Sequence, residues 1–227
     1  MFVSDWMQSE VITVTPDDTL ATALALTRKH RIRHLPVVRS SGGLAGLLSD
    51  RDIRLAMPSP LTTPDADRTD FLERTSVAEV MTREVISVSP EETIEEAARL
   101  LYQHRIGSVP VIDAGERLRG ILTETDLLHA FVRILGVAEP SSRIEVALRD
   151  RPGELGRALS LIGESGLNIV SVLVPSFRQG ERKTAVLHLA TIDPRGAIAA
   201  LESAGYPVGW PALSQDLRNV PEPPATG

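Results

Sequence analysis

The sequence predicts an α/β (α+β) chain: two tandem copies of a β-α-β-β-α unit, then a β-α-β-β-α-β unit with a different pattern. Three observations predict it. Residues 7–56 align with 81–130 without a gap: Met7 meets Met81, Pro16 meets Pro90, His30 meets His104, Pro36 meets Pro110, Gly46 meets Gly120 and Asp52 meets Asp126. Within each copy, β-branched runs alternate with segments whose apolar residues recur at helical spacing. After Leu135 the echo stops, and strand and helix patterns continue in a new order.

The elements of the repeat follow in order. "VITV" and "VISV" are short β-branched runs and read as first strands. In "TPDD" and "SPEE", Thr15 and Ser89 are expected to cap a helix. Pro16 and Pro90 suit its first turn, and Asp18 and Glu92 sit three residues after the cap. In the helices, Leu20, Ala23, Leu24 and Thr27 share one face, as do Ile94, Ala97, Ala98 and Leu101. "LPVV" and "VPVI" read as buried strands. "LAGLLS" and "LRGILT" are third strands after turns at Ser41–Gly43 and Ala114–Arg117, and "DRDIRLA" and "ETDLLHA" start second helices. Each unit of about 50 residues would bury too little apolar surface alone, so the copies are expected to pack together. Between them, residues 57–69 carry a loop composition and the pattern turns helical from Asp70 to Thr82, an insertion read as a projecting arm or a dimer contact.

The C-terminal third reads as a linker, "GVAEPSS", and then a strand, "RIEVALRD". A helix follows with Leu155, Ala158, Leu159 and Ile162 on one face, then the strand "LNIVSVLVP". A hairpin arm turning at Gln179–Gly180 leads to a third strand. A helix capped by Asp193 with Pro194 at its start and a short strand, "YPVGWPAL", complete the order. That is the ferredoxin-like split unit. The expected boundaries are 1–66 and 67–135 for the two copies, 136–142 for a linker, 143–213 for the C-terminal unit and 214–227 for a disordered tail.

Composition narrows the function classes. The chain has no cysteine, which excludes disulfides, thiol catalysis and cysteine-based metal sites. A formal charge of −6 and the lack of a basic stripe argue against nucleic acid and anionic membrane as partners. No signal peptide or membrane span is read, so the expected location is cytoplasmic. The five histidines form no H-E-x-x-H, and neither G-x-S-x-G nor a phosphate-cradling G-x-x-x-x-G-K-[ST] occurs. The expectation is a protein that is not an enzyme and holds no metal or cofactor.

One spacing carries chemistry. Each third strand ends in Ser/Thr-x-x-Asp, at Ser49–Asp52 and Thr123–Asp126. It reads two ways. It is a capping box that satisfies free N–H groups at a helix start, or it is a nucleotide grip, a carboxylate for a ribose diol beside a helix N-terminus for phosphate. The copies differ at Arg33–His34 against Gly107–Ser108. Gly107–Ser108 leaves room for a flat base, whereas His34 could fill its cleft, add phosphate donors or make it pH-sensitive. His30 and His104 complement helix dipoles at helix ends, and Arg51, whose counterpart is Thr125, lies within reach of a phosphate.

The h-P-V-h strand, the G-h-h-[ST]-x-x-D turn and their duplication make residues 7–133 resemble a tandem pair of CBS domains, a Bateman module. The resemblance implies two copies packed as a pseudo-twofold pair, with clefts that take AMP, ADP, ATP or S-adenosylmethionine. It places Ser49 and Asp52 in one cleft, Thr123 and Asp126 in the other. Thr13, Ser87 and the residues before Pro36 and Pro110, His34 and Ser108 among them, would line the adenine slots, and the roomier cleft beside Ser108 and Thr123 is the one expected to take adenine. The runs "DRPGELGRAL" and "GLNIVSV" make residues 143–211 resemble an ACT domain, a small regulatory module. That resemblance implies either a dimer interface or a site for a free amino acid at Asp150, Pro152, Gly153, Leu155 and Asn168. The arrangement as a whole resembles bacterial acetoin-utilisation regulatory proteins. It implies a ligand-sensing regulator that forms a homodimer and acts on another protein; a scaffold dimerisation protein without bound nucleotide is the alternative, with an enzyme ranked after it.

Overall fold

The computed structural model describes residues 1–136, 140–175 and 182–209. They fall into two compact units, Met1–Leu128 and a second that begins at His129.

In the first unit each copy is a helix, a two-stranded antiparallel hairpin and a second helix. The first copy comprises α1 (Leu20–His30), β1 (His34–Val38), β2 (Leu44–Ser49) and α2 (Asp50–Ala56). Next come α3 (Asp65–Arg74) and α4 (Val77–Val80). The second copy comprises α5 (Ile94–His104), β3 (Ser108–Ile112), β4 (Leu118–Thr123) and α6 (Glu124–Ile134). The hairpins share a register, His34 opposite Ser49 and Ser108 opposite Thr123. Both first helices end on a left-handed arginine, Arg31 at φ 55° and Arg105 at φ 54°. Such a conformation costs a residue with a Cβ on the order of 1–2 kcal/mol.

The expected first strands shrink to single parallel bridges, Val14 with Val37 and Val88 with Val111. Proline is the reason. Val14 N–H donates to Pro36 O and Val38 N–H to Val14 O, but Pro36 has no N–H for the next rung, nor has Pro110 in the second copy.

The helix caps also differ from expectation. Thr19 and Thr93 cap α1 and α5, each hydroxyl accepting an N–H at 3.2 Å, from Thr22 and Glu96. Thr15 and Asp18 close a separate turn, Thr15 N–H donating to Asp18 Oδ2 at 2.6 Å. The helix cannot begin earlier, because Pro16 O and Asp18 O accept the N–H groups of Ala78 and Val77. Likewise Pro90 O and Glu92 O accept from Ser4 and Val3.

These bonds reveal an exchange. The segment before each copy packs on the other copy. Val3 is buried in the second copy's core with Val88, Val109 and Leu122. Val77 and Met81 are buried in the first copy's core with Leu20, Leu35 and Leu48. Gln8 bridges Ile121, and Thr82 bridges Leu47. The fully buried Leu20, Leu35, Leu48 and Ile53 each contribute roughly 1.5–3 kcal/mol relative to exposure. The hairpin tips also meet, Leu44 N–H donating to Glu116 O and Leu118 N–H to Gly42 O.

The insertion is not a projecting arm. α3 starts at Asp65, five residues earlier than expected, with Pro64 at its cap and Asp65 and Asp67 in its first turn. Phe71 and Leu72 pack against the first copy's core. The expected single helix to Thr82 breaks at Thr75–Ser76, because Thr75 O accepts from Leu20 N–H and Ser76 starts a new capping box with Glu79.

The second unit contains β5 (Ser142–Arg149), α7 (Glu154–Glu164), β6 (Ile169–Leu173), β7 (Arg182–Leu189), α8 (Arg195–Ser203) and β8 (Val208–Gly209). Its antiparallel sheet has the order β6-β7-β5-β8, the split β-α-β-β-α-β arrangement. Ile144, Val146, Leu148, Leu187 and Leu189 pack with Ala158, Ile162 and Leu201 of the two helices. β5 begins inside the expected linker, at Ser142, and α8 begins at Arg195 with Pro194 as its cap. Asp193 still serves the helix start, accepting from Arg195 N–H at 3.2 Å. The expected turn at Gln179–Gly180, the end of the last strand and the expected tail from Ser214 lie outside the described residues.

Candidate functional site

Two places in the first unit bring a hydroxyl and a carboxylate together where a hairpin hands over to a helix. Ser49 ends β2 with extended backbone (φ −108°, ψ 159°), and α2 starts at the next residue. Ser49 Oγ donates to Asp52 Oδ2 at 2.6 Å and Ser49 N–H to the same oxygen at 2.9 Å, while Asp52 N–H donates to Ser49 Oγ at 3.2 Å. At the β4–α6 junction, Thr123 and Asp126 make the same three bonds at 2.7, 2.9 and 3.3 Å. Both pairs are reciprocal capping boxes. Each box engages Oδ2 only, so the second carboxylate oxygen decides what else the aspartate does.

The copies differ at that second oxygen. Asp126 Oδ1 accepts a hydrogen bond from Gln8 Nε2 at 2.9 Å. Asp52 Oδ1 has no hydrogen-bond partner among the described residues. The exchange of leading segments explains the difference. Gln8 bridges Ile121 of β4, its counterpart Thr82 bridges Leu47 of β2, and only Gln8 carries an amide.

His34 lies where the copies meet. A Cβ placed on Gly107 would come within 3.1 Å of His34 Cε1 and 3.3 Å of Nε2, with Glu124 Oε2 at 3.7 Å. The imidazole therefore stands beside Gly107, and a larger side chain there would have to push it aside by a few tenths of an ångström. Burial, followed by the charge of Arg33, pushes the His34 imidazole below the usual histidine range, against the opposing pull of Asp50, Asp52 and Glu124. Ser108, the counterpart of His34, is 1% exposed and its Oγ has no partner among the described residues.

Other nominated residues are placed as follows. Pro36 and Pro110 are buried in β1 and β3, and Thr13 and Ser87 are half-buried beside the bridging valines. Arg51 is exposed, as is Thr125. A groove of about 470 Å³ beside Glu124 is lined by Leu101, Tyr102, Gln103 and Arg105. Sequence reasoning did not nominate Gln8, Glu124 or Tyr102; the register of the repeat, which pairs Gln8 with Thr82, held a signal for the first. In the second unit Asp150 is ion-paired with Lys183 at 2.7 Å. Pro152 and Gly153 are exposed, Gly153 at φ +88°, and Asn168 O accepts from Ala190 N–H. Leu155 packs against the core. No cluster of metal-ligating side chains occurs among the described residues.

A model of one family, the CBS domain, matches residues 3–59 and 77–133. The chain belongs to the CBS domain family. Its matched segments coincide with the two copies and take in the exchanged leading segments. A CBS domain-containing protein of Dictyostelium discoideum is 34% identical over 143 residues, which cover 63% of this chain and 99% of that one. Among solved structures, one described as an acetoin utilization protein (AcuB) from Vibrio cholerae is similar with a TM-score of 0.52 and 29% identity, covering 61% of this chain and 96% of its own. CBSX2, solved in complex with AMP, is similar with a TM-score of 0.50 and 28% identity, covering 59% and 97%. Among the described residues, no helix of this CBS protein is long and apolar enough to cross a membrane.

Proposed function

We propose that this CBS pair is the sensing part of a non-catalytic, cytoplasmic regulator that binds an adenosine-containing ligand (AMP, ADP, ATP or S-adenosylmethionine). The reading rests above all on the two hydroxyl–carboxylate pairs at strand-to-helix junctions, each with a carboxylate oxygen outside its capping box. A ribose diol can donate to that oxygen, and the N–H groups of the following helix favour phosphate. Asp52 and Ser49 serve one cleft, with Thr13, His34, Pro36 and Arg51 around it. Asp126 and Thr123 serve the other, with Ser87, Ser108 and Pro110. The AMP bound to CBSX2, a protein of similar fold, supports this ligand class.

In the same reading the C-terminal unit is a regulatory module of ACT type. It binds a free amino acid at the Asp150–Gly153 turn and Asn168, or pairs with a second copy, so that the protein works as a homodimer. The sheet order β6-β7-β5-β8 and the left-handed Gly153 support it. Leu155, nominated with that turn, packs against the core.

Calorimetry with AMP, ADP, ATP and S-adenosylmethionine tests the nucleotide reading, with wild type beside Asp52→Asn and Asp126→Asn. Asparagine keeps an acceptor for the capping box while removing the charge. The expected result is loss of adenosine-ligand binding in one or both variants with the melting temperature preserved. Equal binding by all three proteins would sink the ribose assignment.

A further inference from the structure

The second unit carries a groove of about 760 Å³, within the range of small-molecule sites. One end is formed by Arg149 at the end of β5, Arg182 at the start of β7 and the first turn of α7, and the far end by Glu164. Arg149 and Arg182 are direct cross-strand partners in the β5–β7 ladder. Like charges so placed repel. Of the acids nearby, Asp150 is paired with Lys183 and Glu154 with Arg157. Arg182 Nη1 is shielded from solvent and makes no hydrogen bond. A buried donor on a cation without an acceptor is costly. An added Cβ at Gly153, Gly156 or Gly205 in the wall would meet nothing within 4 Å, so the groove stays open beside the arginines.

We propose that this end of the groove is a binding site for the anionic head, a carboxylate or phosphate, of a small organic ligand. Arg149 and Arg182 form a charge-assisted fork for its oxygens. The N-terminus of α7, an 11-residue helix, adds its dipole. The ligand is larger than a bare ion, because α7 runs about 16 Å from Gly153 to Glu164, and Glu164 disfavours a second negative group at the far end. The site shares only Gly153 with the turn proposed for an amino acid and does not depend on nucleotide binding by the CBS pair.

Thermal unfolding of the full chain tests it, with inorganic phosphate, phenyl phosphate, acetate and benzoate in separate arms at ionic strength matched with chloride. Wild type is expected to be stabilised by the phosphate arms or the carboxylate arms, which names the head group, and more by the organic member of the pair. Arg149→Gln and Arg182→Gln should each raise the half-saturating concentration about tenfold or more, as loss of one charge-assisted bond requires. Without anion both variants should melt at or above the wild-type temperature, because the repulsion is gone. A merely structural arginine would instead lower it. The proposal is overturned if no arm exceeds the chloride control, or if the variants respond to anions as wild type does. Circular dichroism confirms that each variant is folded, and Arg182→Lys, which keeps charge but not the fork, is expected to bind with intermediate strength.

Discussion

Gln8 and a ribose would compete for the same oxygen of Asp126, and replacing Gln8 with alanine measures the contest. The bond from Gln8 Nε2 to Asp126 Oδ1 is 2.9 Å long and solvent-exposed. A hydrogen bond to a charged group contributes about 1.5–3 kcal/mol when sheltered and nearer 1 kcal/mol when exposed. Freeing the oxygen therefore removes about 1 kcal/mol of competition, roughly a fivefold gain in affinity at 298 K. The backbone of Gln8 stays bridged to Ile121 in the variant, so the leading segment keeps its place. Calorimetric titration with AMP reads the gain, with Gln8→Ala, Asp126→Asn and the double variant in parallel. The reciprocal change, Thr82→Gln, offers Asp52 the amide it lacks and is expected to weaken its cleft by a similar factor. Weaker AMP binding by Gln8→Ala would mean that the amide holds the ligand rather than excludes it, and would refute the reasoning. So would a gain that survives in the double variant.

Two further outcomes follow from packing and charge. Gly46→Ala would place a Cβ 2.7 Å from both Met81 Sδ and Thr82 O, and Gly120→Ala 2.6 Å from Met7 Sδ and 2.9 Å from Gln8 O. Overpacking of this kind costs roughly 1–3 kcal/mol, and urea melts should show Gly46→Ala as the costlier, since backbone oxygen yields less readily than a methionine. In the second case, folding depresses the His34 and His188 imidazoles, both chiefly through burial. The unfolded chain then binds more protons, so stability is complete above the unfolded histidine value of about 6.5 and falls as pH drops through it. Carboxylates depressed by hydrogen bonds, such as Asp193 at about 2, lose their contribution only at more acid pH. Urea denaturation between pH 7.5 and 5 should therefore show a decline that His34→Gln and His188→Gln each flatten; an unchanged slope in both variants would contradict it.

What the sequence made legible is what depends on near neighbours. The hairpins, the helix faces and both Ser/Thr–Asp boxes are set by residues within a few positions of one another, and they stand where the pattern put them. The failures share one cause. Val11–Val14 reads as a strand because its side chains are β-branched, yet its partner strand carries Pro36, which cannot donate. Thr15–Asp18 reads as a helix cap because the spacing is right, yet residues 77–78 take the carbonyls a helix would need. Gly107 reads as open space because it has no side chain, yet the His34 imidazole of the other copy stands beside it. In each case a tertiary partner far along the chain outweighed a sound local preference, and one sequence without its contacts does not disclose that partner.

The exchange of leading segments gives the duplication a mechanical sense. Gln8 is hydrogen-bonded through its backbone to β4 and through its amide to Asp126, both in the second copy. A few residues later the same segment reaches Val14, which bridges Val37 in the first copy. A ligand that drew Gln8 off Asp126 Oδ1 would act on a strap that both copies hold. Thr82 makes the corresponding crossing from β2 to Val88 of the second copy, but without a side-chain tie to Asp52. Binding shifts an equilibrium only through differential affinity for two states. Were Gln8 displaced, the two states would differ in whether its amide sits on the Asp126 carboxylate, a difference for which Asp52 has no counterpart among the described residues.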